Sequence, residues 1–151
     1  MKRLMILGGS NYIIPVIKAA HELGCYVITC DYLPNNIAHK YSDEYSNVSI
    51  IDKKAVLETA QKLKIDGIMS FACDPGVVTG AYVAEKMGLP SVGSYEAVSI
   101  LQNKSRFRSF LSEHGFNVPT AKGYKSIDDA INDIGFFSLA CNSKTYRLRR
   151  K

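Results

Sequence analysis

Residues 3–101 alternate short apolar runs with longer segments in which apolar residues recur at helical spacing. The clearest apolar runs are residues 3–7, 26–30 and 67–71. Such runs are typical of buried strands, and the segments between them are typical of amphipathic helices. Strands that alternate with helices form βαβ units, which give a parallel sheet covered by helices on both faces. The sequence therefore predicts an α/β fold with a doubly wound parallel sheet.

The same reasoning predicts the remaining elements. Further strands are expected at residues 47–50, 89–92 and 121–124. Helices are expected at residues 13–23, 53–63, 76–87, 95–101, 105–114 and 127–134. Asp74 is predicted to be the N-cap of the helix at 76–87, with Pro75 in its first turn. Ser126 is predicted to cap the last helix.

Positive charge is concentrated in residues 138–151. Five of the 19 lysines and arginines lie there, and the rest of the chain has as many basic as acidic residues. A basic terminus on a neutral body is typical of a solvated tail, so no nucleic-acid partner is expected. No apolar run is long enough to span a membrane, and the N-terminus does not resemble a signal peptide. We therefore expect a cytoplasmic protein with no membrane partner.

The cysteines and histidines do not have the spacing of a metal site or a disulfide framework. Cys25, Cys30, Cys73 and Cys141 are widely separated, with no CxxC pair. Free thiols in a reducing compartment are the favoured interpretation, and no metal ligand is predicted. The three histidines, His21, His39 and His114, are expected at the surface or on helix faces. No catalytic residue is predicted in this chain.

Gly8, Gly9, Ser10 and Asn11 join the first predicted strand to the first predicted helix. Ligands of open α/β sheets bind outside the carboxyl ends of the strands, where the N–H groups at a helix start attract anions. This loop is therefore the first candidate for binding a substrate or its phosphate. A tight turn without a ligand explains two glycines about equally well.

Asp31 follows the second predicted strand and stands 23 residues after Gly8. An acid near this place binds the ribose in proteins that bind nicotinamide dinucleotides. The GxGxxG motif of those proteins does not fit, because Gly8 and Gly9 are adjacent and Ser10 follows them. NAD binding therefore stays an alternative that the glycine spacing disfavours.

Phe71 and Asp74 belong to a second strand-to-helix loop at the same edge of the sheet. Asp74 has two candidate roles, contact with a ligand and capping of its own helix, and capping is favoured. Cys73 has no histidine nearby in sequence, so a nucleophilic role for its thiol has no support.

Three segments carry a resemblance to a known family: GGSNYIIPVIKAAHELG, SFACDPGVVTGAYVAEKMGLP and NKSRFRSFLSEHGFNVP. Residues 1 to 137 resemble the N-terminal part of ATP-grasp ligases, especially proteins similar to the large subunit of carbamoyl phosphate synthetase. The resemblance implies a Rossmann-like pre-ATP-grasp domain at residues 1–118 and the beginning of a second α+β domain at 119–137.

The resemblance also implies functions for particular residues. The loop from Gly8 to Asn11 would bind the acceptor substrate or its phosphate, and Lys104 would reach the phosphates of a nucleotide. The family uses ATP and magnesium to make an acyl phosphate, which an amine then attacks. The lysine-bearing strand, glycine-rich loop and carboxylates of that reaction lie downstream in the family. We therefore expect this chain to be a truncated substrate-binding domain of a carboxylate-amine ligase, inactive alone.

The basic tail at residues 138–151 is explained by the hypothesis that it is translated out of frame. Back-translation with permitted codons and a shift of one base converts residues 140–151 into PVIVKPTDSAGS, which resembles the lysine-bearing strand of the family. We expect a frameshift near Leu139.

A lost partner domain would expose apolar surface around Phe136 and Phe137, which favours self-association. The alternative function is a stand-alone module that binds a small ligand or a nucleotide.

Overall fold

The computed structural model describes residues 1–119 and 122–133, and four parallel strands form its central sheet. The strands are β1 (Arg3–Leu7), β2 (Tyr26–Cys30), β3 (Glu44–Ser46) and β4 (Gly67–Ser70). Their order across the sheet is β3-β2-β1-β4, and Leu7 is in register with both Cys30 and Ser70. The carboxyl ends of the three longer strands therefore lie side by side.

Six α-helices surround or follow this sheet in the described ranges. They are α1 (Ile14–Glu22), α2 (Lys53–Lys62), α3 (Asp74–Met87), α4 (Tyr95–Gln102), α5 (Lys104–Glu113) and α6 (Ile127–Asn132). Short 3₁₀ turns at Asn11–Ile13 and Ile37–Lys40 complete the regular structure. None of these helices combines the length and the apolar character needed to cross a membrane.

Both faces of the sheet are buried, as a doubly wound fold requires. Met5 and Leu7 of β1 point to one face, where they pack with Val56 of α2 and Val83 of α3. Ile6 points to the other face and packs with Ile17 of α1. Each fully buried side chain of this size contributes about 1.5–3 kcal/mol through removal from water. The predicted α/β fold with a doubly wound parallel sheet is confirmed.

Three predicted strands are wrong. The third strand lies at Glu44–Ser46, not at residues 47–50. Its polar side chains find partners there, since Glu44 accepts from the Arg3 guanidinium at 3.0 Å and the Tyr45 hydroxyl donates to the Asp31 carbonyl at 2.9 Å. Ile50 reaches the core from a turn instead.

Residues 89–92 are not a strand either. Leu89 packs against the core, but Val92 is 90% exposed. Pro90 has no N–H to give to a sheet, and the Ser91 hydroxyl donates to the Gly93 carbonyl to form a turn. Residues 122–124 also lie outside any strand, and residue 121 is not among those described.

The predicted helices agree with the structure apart from their ends and one cap. Cys73, not Asp74, occupies the N-cap position of α3, so the N-cap prediction for Asp74 is wrong. Asp74 is the first residue of the helix, where its negative charge stabilises the helix through the positive end of the helix dipole. Ser126 caps α6 as predicted, accepting from the Asp129 N–H at 3.1 Å. Gly88 ends α3 with φ +66°.

Candidate functional site

The strand order places the loop after β1 at the topological switch point of the sheet. From β1 the chain first builds β2 and β3 on one side, and then returns to build β4 on the other. Loops that leave neighbouring strands in opposite directions open a crevice at their carboxyl ends, which is where ligands of such sheets bind. The strand order therefore predicts a crevice between the loop at Gly8 to Asn11 and the loop that begins at Phe71.

The backbone of the first loop leaves a row of donors unused. The Gly8 N–H donates to the Cys30 carbonyl at 2.8 Å, and the Ile13 N–H donates to the Ser10 carbonyl at 3.3 Å. Among the residues described, no hydrogen bond uses the N–H groups between these two. These donors belong to Gly9, Ser10, Asn11 and Tyr12. Four consecutive free N–H groups before a helix are suited to bind an anion.

Glycine is required at two positions of this loop for different reasons. Gly8 has φ +114°, a conformation that other residues rarely adopt. Gly9 has no space for a side chain, because an added Cβ would lie 2.6 Å from the Asn36 Cβ and 2.7 Å from the His39 Cε1. The loop after β2 therefore packs directly against the backbone of the glycine loop.

The loop after β4 forms the opposite side of the crevice. A Cβ added to Gly8 would lie 3.5 Å from the Cys73 Sγ, so the two loops approach each other closely at this point. The Ser70 hydroxyl donates to the Cys73 carbonyl at 2.7 Å and holds this tight turn, in which Ala72 has φ +51°. Burial is the main cause that raises the pKa of the Cys73 thiol. A raised pKa keeps the thiol protonated at neutral pH, and a protonated thiol is a poor nucleophile.

Asp31 lies at the end of β2 and is buried. Its Oδ1 accepts from the Leu33 N–H at 2.8 Å. Burial, followed by the charge of Asp31, raises the pKa of Cys30 to about 12. The same carboxylate also contributes to the raised pKa values of Tyr45 and Cys73. Asp31 therefore places a carboxyl group at the end of β2, where it can accept hydrogen bonds from hydroxyl or ammonium groups of a ligand.

Exposed aromatic side chains surround this edge of the sheet. Tyr12 is 67% exposed, Tyr32 57% and Phe71 47%. Each belongs to a loop or turn that follows a different strand. The predicted site residues Gly8, Gly9, Ser10, Asn11, Asp31 and Phe71 thus all lie at the carboxyl edge of the sheet, and Asp74 begins the helix that leaves it.

Lys104 belongs to a separate part of the described structure. It is the first residue of α5, which packs against α4, and its side chain is exposed. Asn103 caps this helix by accepting from the N–H groups of Ser105 and Arg106 at 3.1 and 3.0 Å. Within the residues described, no hydrogen bond or ion pair joins Lys104 to the glycine loop.

Sequence reasoning missed the role of His39, which was expected to be a surface or helix-face histidine. The ring is half-buried, and its Nδ1 lies 2.9 Å from the Thr29 hydroxyl. Its Nε2 lies 3.1 Å from the Leu33 carbonyl, and the ring stacks on Tyr45 at 4.0 Å. One signal for this network is present in the sequence, since Thr29 is a polar residue inside an otherwise apolar buried strand.

No group of three or more metal-ligating side chains is found in the described ranges. Cys25, Cys30 and Cys73 are free thiols, and Cys141 lies outside those ranges. Phe136, Phe137 and the basic tail at 138–151 also lie outside them. The expectations attached to these residues remain predictions.

Comparison with known proteins gives relatives for most of the chain, although no protein-family model matches it. A formate-dependent phosphoribosylglycinamide formyltransferase from Sulfurovum sp. is 30% identical over 111 residues, 74% of this chain and 28% of the relative. The structure of phosphoribosylglycinamide synthetase from Anaerococcus prevotii matches with a TM-score of 0.73 at 26% identity, over 91% of this chain and 35% of that one.

A third match concerns the fold alone. N5-carboxyaminoimidazole synthetase from Staphylococcus aureus, solved in complex with ADP, has a TM-score of 0.62 at 22% identity, over 87% of this chain and 35% of that one. The chain spans 27–35% of the length of the curated relatives it matches. The similarity is to the N-terminal region of ATP-grasp ligases, and it does not single out carbamoyl phosphate synthetase.

Proposed function

We propose that this chain binds the acceptor substrate of an ATP-dependent ligase of the ATP-grasp type, and that it holds an anionic group of that substrate at the glycine loop. The ligase would form an acyl phosphate and transfer the acyl group to an amine. Alone, the chain would bind the acceptor without converting it. The single observation that carries the proposal is the row of unused N–H groups from Gly9 to Tyr12 at the switch point.

The acceptor proposed is an amine attached to a phosphate ester of a sugar, so that the phosphate is bound at the glycine loop and the amine receives the acyl group. A phosphate offers several oxygens to neighbouring N–H groups, and hydrogen bonds to charged groups are stronger than neutral ones. Asp31 would accept from sugar hydroxyls, because its buried carboxylate stands beside the loop. Phe71 and Asp74 would contact the rest of the acceptor from the opposite loop. The names of the formyltransferase and synthetase relatives, which include phosphoribosyl compounds, support this choice.

The ligase reaction would use ATP and magnesium, as ATP-grasp ligases do, and no group of three or more metal-ligating side chains lies within the described residues. ATP supplies the phosphoryl group of the acyl phosphate in this class of reaction. Lys104 would contribute one positive charge toward the nucleotide phosphates from the start of α5. The specificity of carbamoyl phosphate synthetase-like proteins, which the sequence suggested, stays a prediction within this reaction class.

A pair of substitutions at Asn11 isolates the backbone donors from the side chain. Ser10 has φ −71° and ψ 165°, an extended conformation that suits the residue before a proline. Asn11 is the first residue of its helical turn, where proline is favoured. Asn11→Pro therefore removes one N–H without breaking the helix, and Asn11→Ala removes the side chain but keeps the N–H.

We expect ribose 5-phosphate to bind the Asn11→Pro variant about tenfold to a hundredfold more weakly than the Asn11→Ala variant, since a hydrogen bond to a charged group is worth about 1.5–3 kcal/mol. Isothermal titration calorimetry measures both constants, and titration with inorganic phosphate separates the contribution of the sugar. Equal affinity in the two variants would refute the proposed anion site. Submicromolar binding of NAD would favour a nicotinamide-binding protein instead.

A further inference from the structure

The segment of residues 36–39 holds Gly9 from two directions. The Gly9 carbonyl accepts from the Ala38 N–H at 3.1 Å. On the other side of the same residue, Asn36 and His39 occupy the space where a Cβ would stand. The glycine loop is therefore fixed to the loop after β2, and not only to the strand that precedes it.

The bond between Gly9 and Ala38 also determines where the next donor points. In a trans peptide the C=O of one residue and the N–H of the following residue point in opposite directions. No cis peptide is present in the residues described. Because the Gly9 carbonyl points toward Ala38, the Ser10 N–H points away from the turn at Ile37–Lys40. Any movement of that turn would rotate this donor.

His39 belongs to this turn, and its ring contacts three other parts of the fold. A carbonyl oxygen only accepts hydrogen bonds, so the Nε2 of His39 carries a proton and donates to the Leu33 carbonyl. Its Nδ1 bonds to Thr29, a fully buried residue of β2. Its ring stacks on Tyr45 of β3. One side chain therefore links β2, β3 and the loop after β2 to the back of the glycine loop.

We propose that His39 is a positioning residue for the anion-binding loop: it does not contact the ligand, but fixes the turn whose bond to Gly9 orients the loop N–H donors. The inference rests on the proposed function, since it concerns the same anion site. Its effect on the loop exists without ligand and can be measured separately.

Two variants of His39 separate the contribution of its ring contacts from that of its hydrogen bonds. His39→Phe keeps an aromatic ring against Tyr45 and Gly9 but loses both hydrogen bonds. His39→Gln loses the ring but keeps an amide N–H that can donate to Leu33. His114→Gln is the matched control, because His114 also bonds to a main-chain carbonyl, that of Phe110 at 2.7 Å, but directly after α5 and away from the glycine loop.

The first measurement is the amide ¹H–¹⁵N spectrum of the full chain without ligand. We expect the resonances of Gly9, Ser10 and Asn11 to shift in His39→Phe, to shift less in His39→Gln, and to stay unchanged in His114→Gln. Unchanged loop resonances in a folded His39→Phe variant would overturn the inference. If His39→Phe does not fold, the same comparison between His39→Gln and His114→Gln decides.

The second measurement is the affinity for ribose 5-phosphate. His39→Phe should bind about tenfold more weakly than the unsubstituted chain, which corresponds to the loss of one well-placed hydrogen bond, and His39→Gln should recover part of the affinity. Wild-type affinity in His39→Phe would overturn the positioning role and leave the proposed function intact. If the unsubstituted chain does not bind ribose 5-phosphate, the proposed function fails, and the loop resonances alone decide the role of His39.

Discussion

Gly9 shows at the scale of one residue how packing and binding depend on the same feature. A Cβ at this position would overlap the Asn36 Cβ, which is attached to the backbone and cannot rotate away. The chain must therefore open the contact between the two loops to accept even one methyl group. That contact is also what orients the donors of the loop.

We expect Gly9→Ala to lower the free energy of unfolding by about 1–3 kcal/mol, the usual cost of overpacking a tight site. Gly80→Ala is the control, because a Cβ on this buried helical glycine would meet only the Leu7 Cδ1 at an ordinary 3.8 Å. That control should be neutral or stabilising, since alanine favours helix. Urea unfolding curves measure both variants, and a Gly9→Ala midpoint as high as that of Gly80→Ala would contradict the close packing.

At the scale of elements, Asp43 joins α1 to the sheet. Its Oδ2 accepts from the Val27 N–H at 2.7 Å and lies 2.8 Å from the His21 Nε2. Its own N–H donates to the Val27 carbonyl at 2.9 Å, which continues the ladder between β2 and β3. The hydrogen bond from Val27, with a smaller contribution from His21, lowers the pKa of the Asp43 carboxyl.

A lowered carboxyl pKa stabilises the folded chain only while the group is ionised. The contribution of Asp43 is therefore complete above the pKa of an unfolded aspartate, about 3.9, and is lost as the pH falls through the lower folded value. We expect Asp43→Asn to lower the melting temperature at pH 7 and to lose this difference as the pH falls through the lowered pKa of the folded chain. Glu58→Gln, on the exposed face of α2, should change neither value. A difference independent of pH would assign the effect to shape and not to charge.

The elements also show which parts of the structure the sequence could predict. The helices were predictable because apolar residues recur at helical spacing, and because local signals such as Gly88 after α3 and Ser126 before α6 indicate where a helix ends or begins. β3 was misplaced because its position depends on hydrogen bonds of Glu44 and Tyr45 to distant residues, which no local pattern reveals.

The candidate site likewise has one part that the sequence could predict and one part that it could not. The loop from Gly8 to Asn11 was predictable, because it follows a buried strand and precedes a helix. The contribution of His39 was not, because it depends on Thr29 and Tyr45, which only the folded chain brings next to it. Parallel pairing of β2 and β3 creates that contact, and the pairing register was not available from the sequence.

At the scale of the whole molecule, the sheet is well covered and the last helices are not. The core clusters around β1 and β2 are fully buried, whereas α5 and α6 contain no buried residue. Gly123 lies against Ser105, so the chain leading to α6 contacts α5. Large apolar side chains are exposed in this region: Leu101, Phe110, Phe116, Ile127 and Ile131.

We expect this surface to make the isolated chain self-associate, because apolar surface concentrated in one region is removed from water by contact with a second molecule. Sedimentation velocity over a range of concentrations should show a rising average mass for the unsubstituted chain. The double variant Phe116→Ser, Ile127→Ser should shift this rise to concentrations about tenfold higher. Each substitution removes about 1–2 kcal/mol that burial of the apolar side chain would contribute to association, and only part of that free energy appears in the affinity. Leu23→Ser is the matched control, because Leu23 is 83% exposed at the end of α1, near a different face of the fold. Equal association of the control and the double variant would show that α5 and α6 do not form the contact, and a monomer at all concentrations would show that their exposure is tolerated in water.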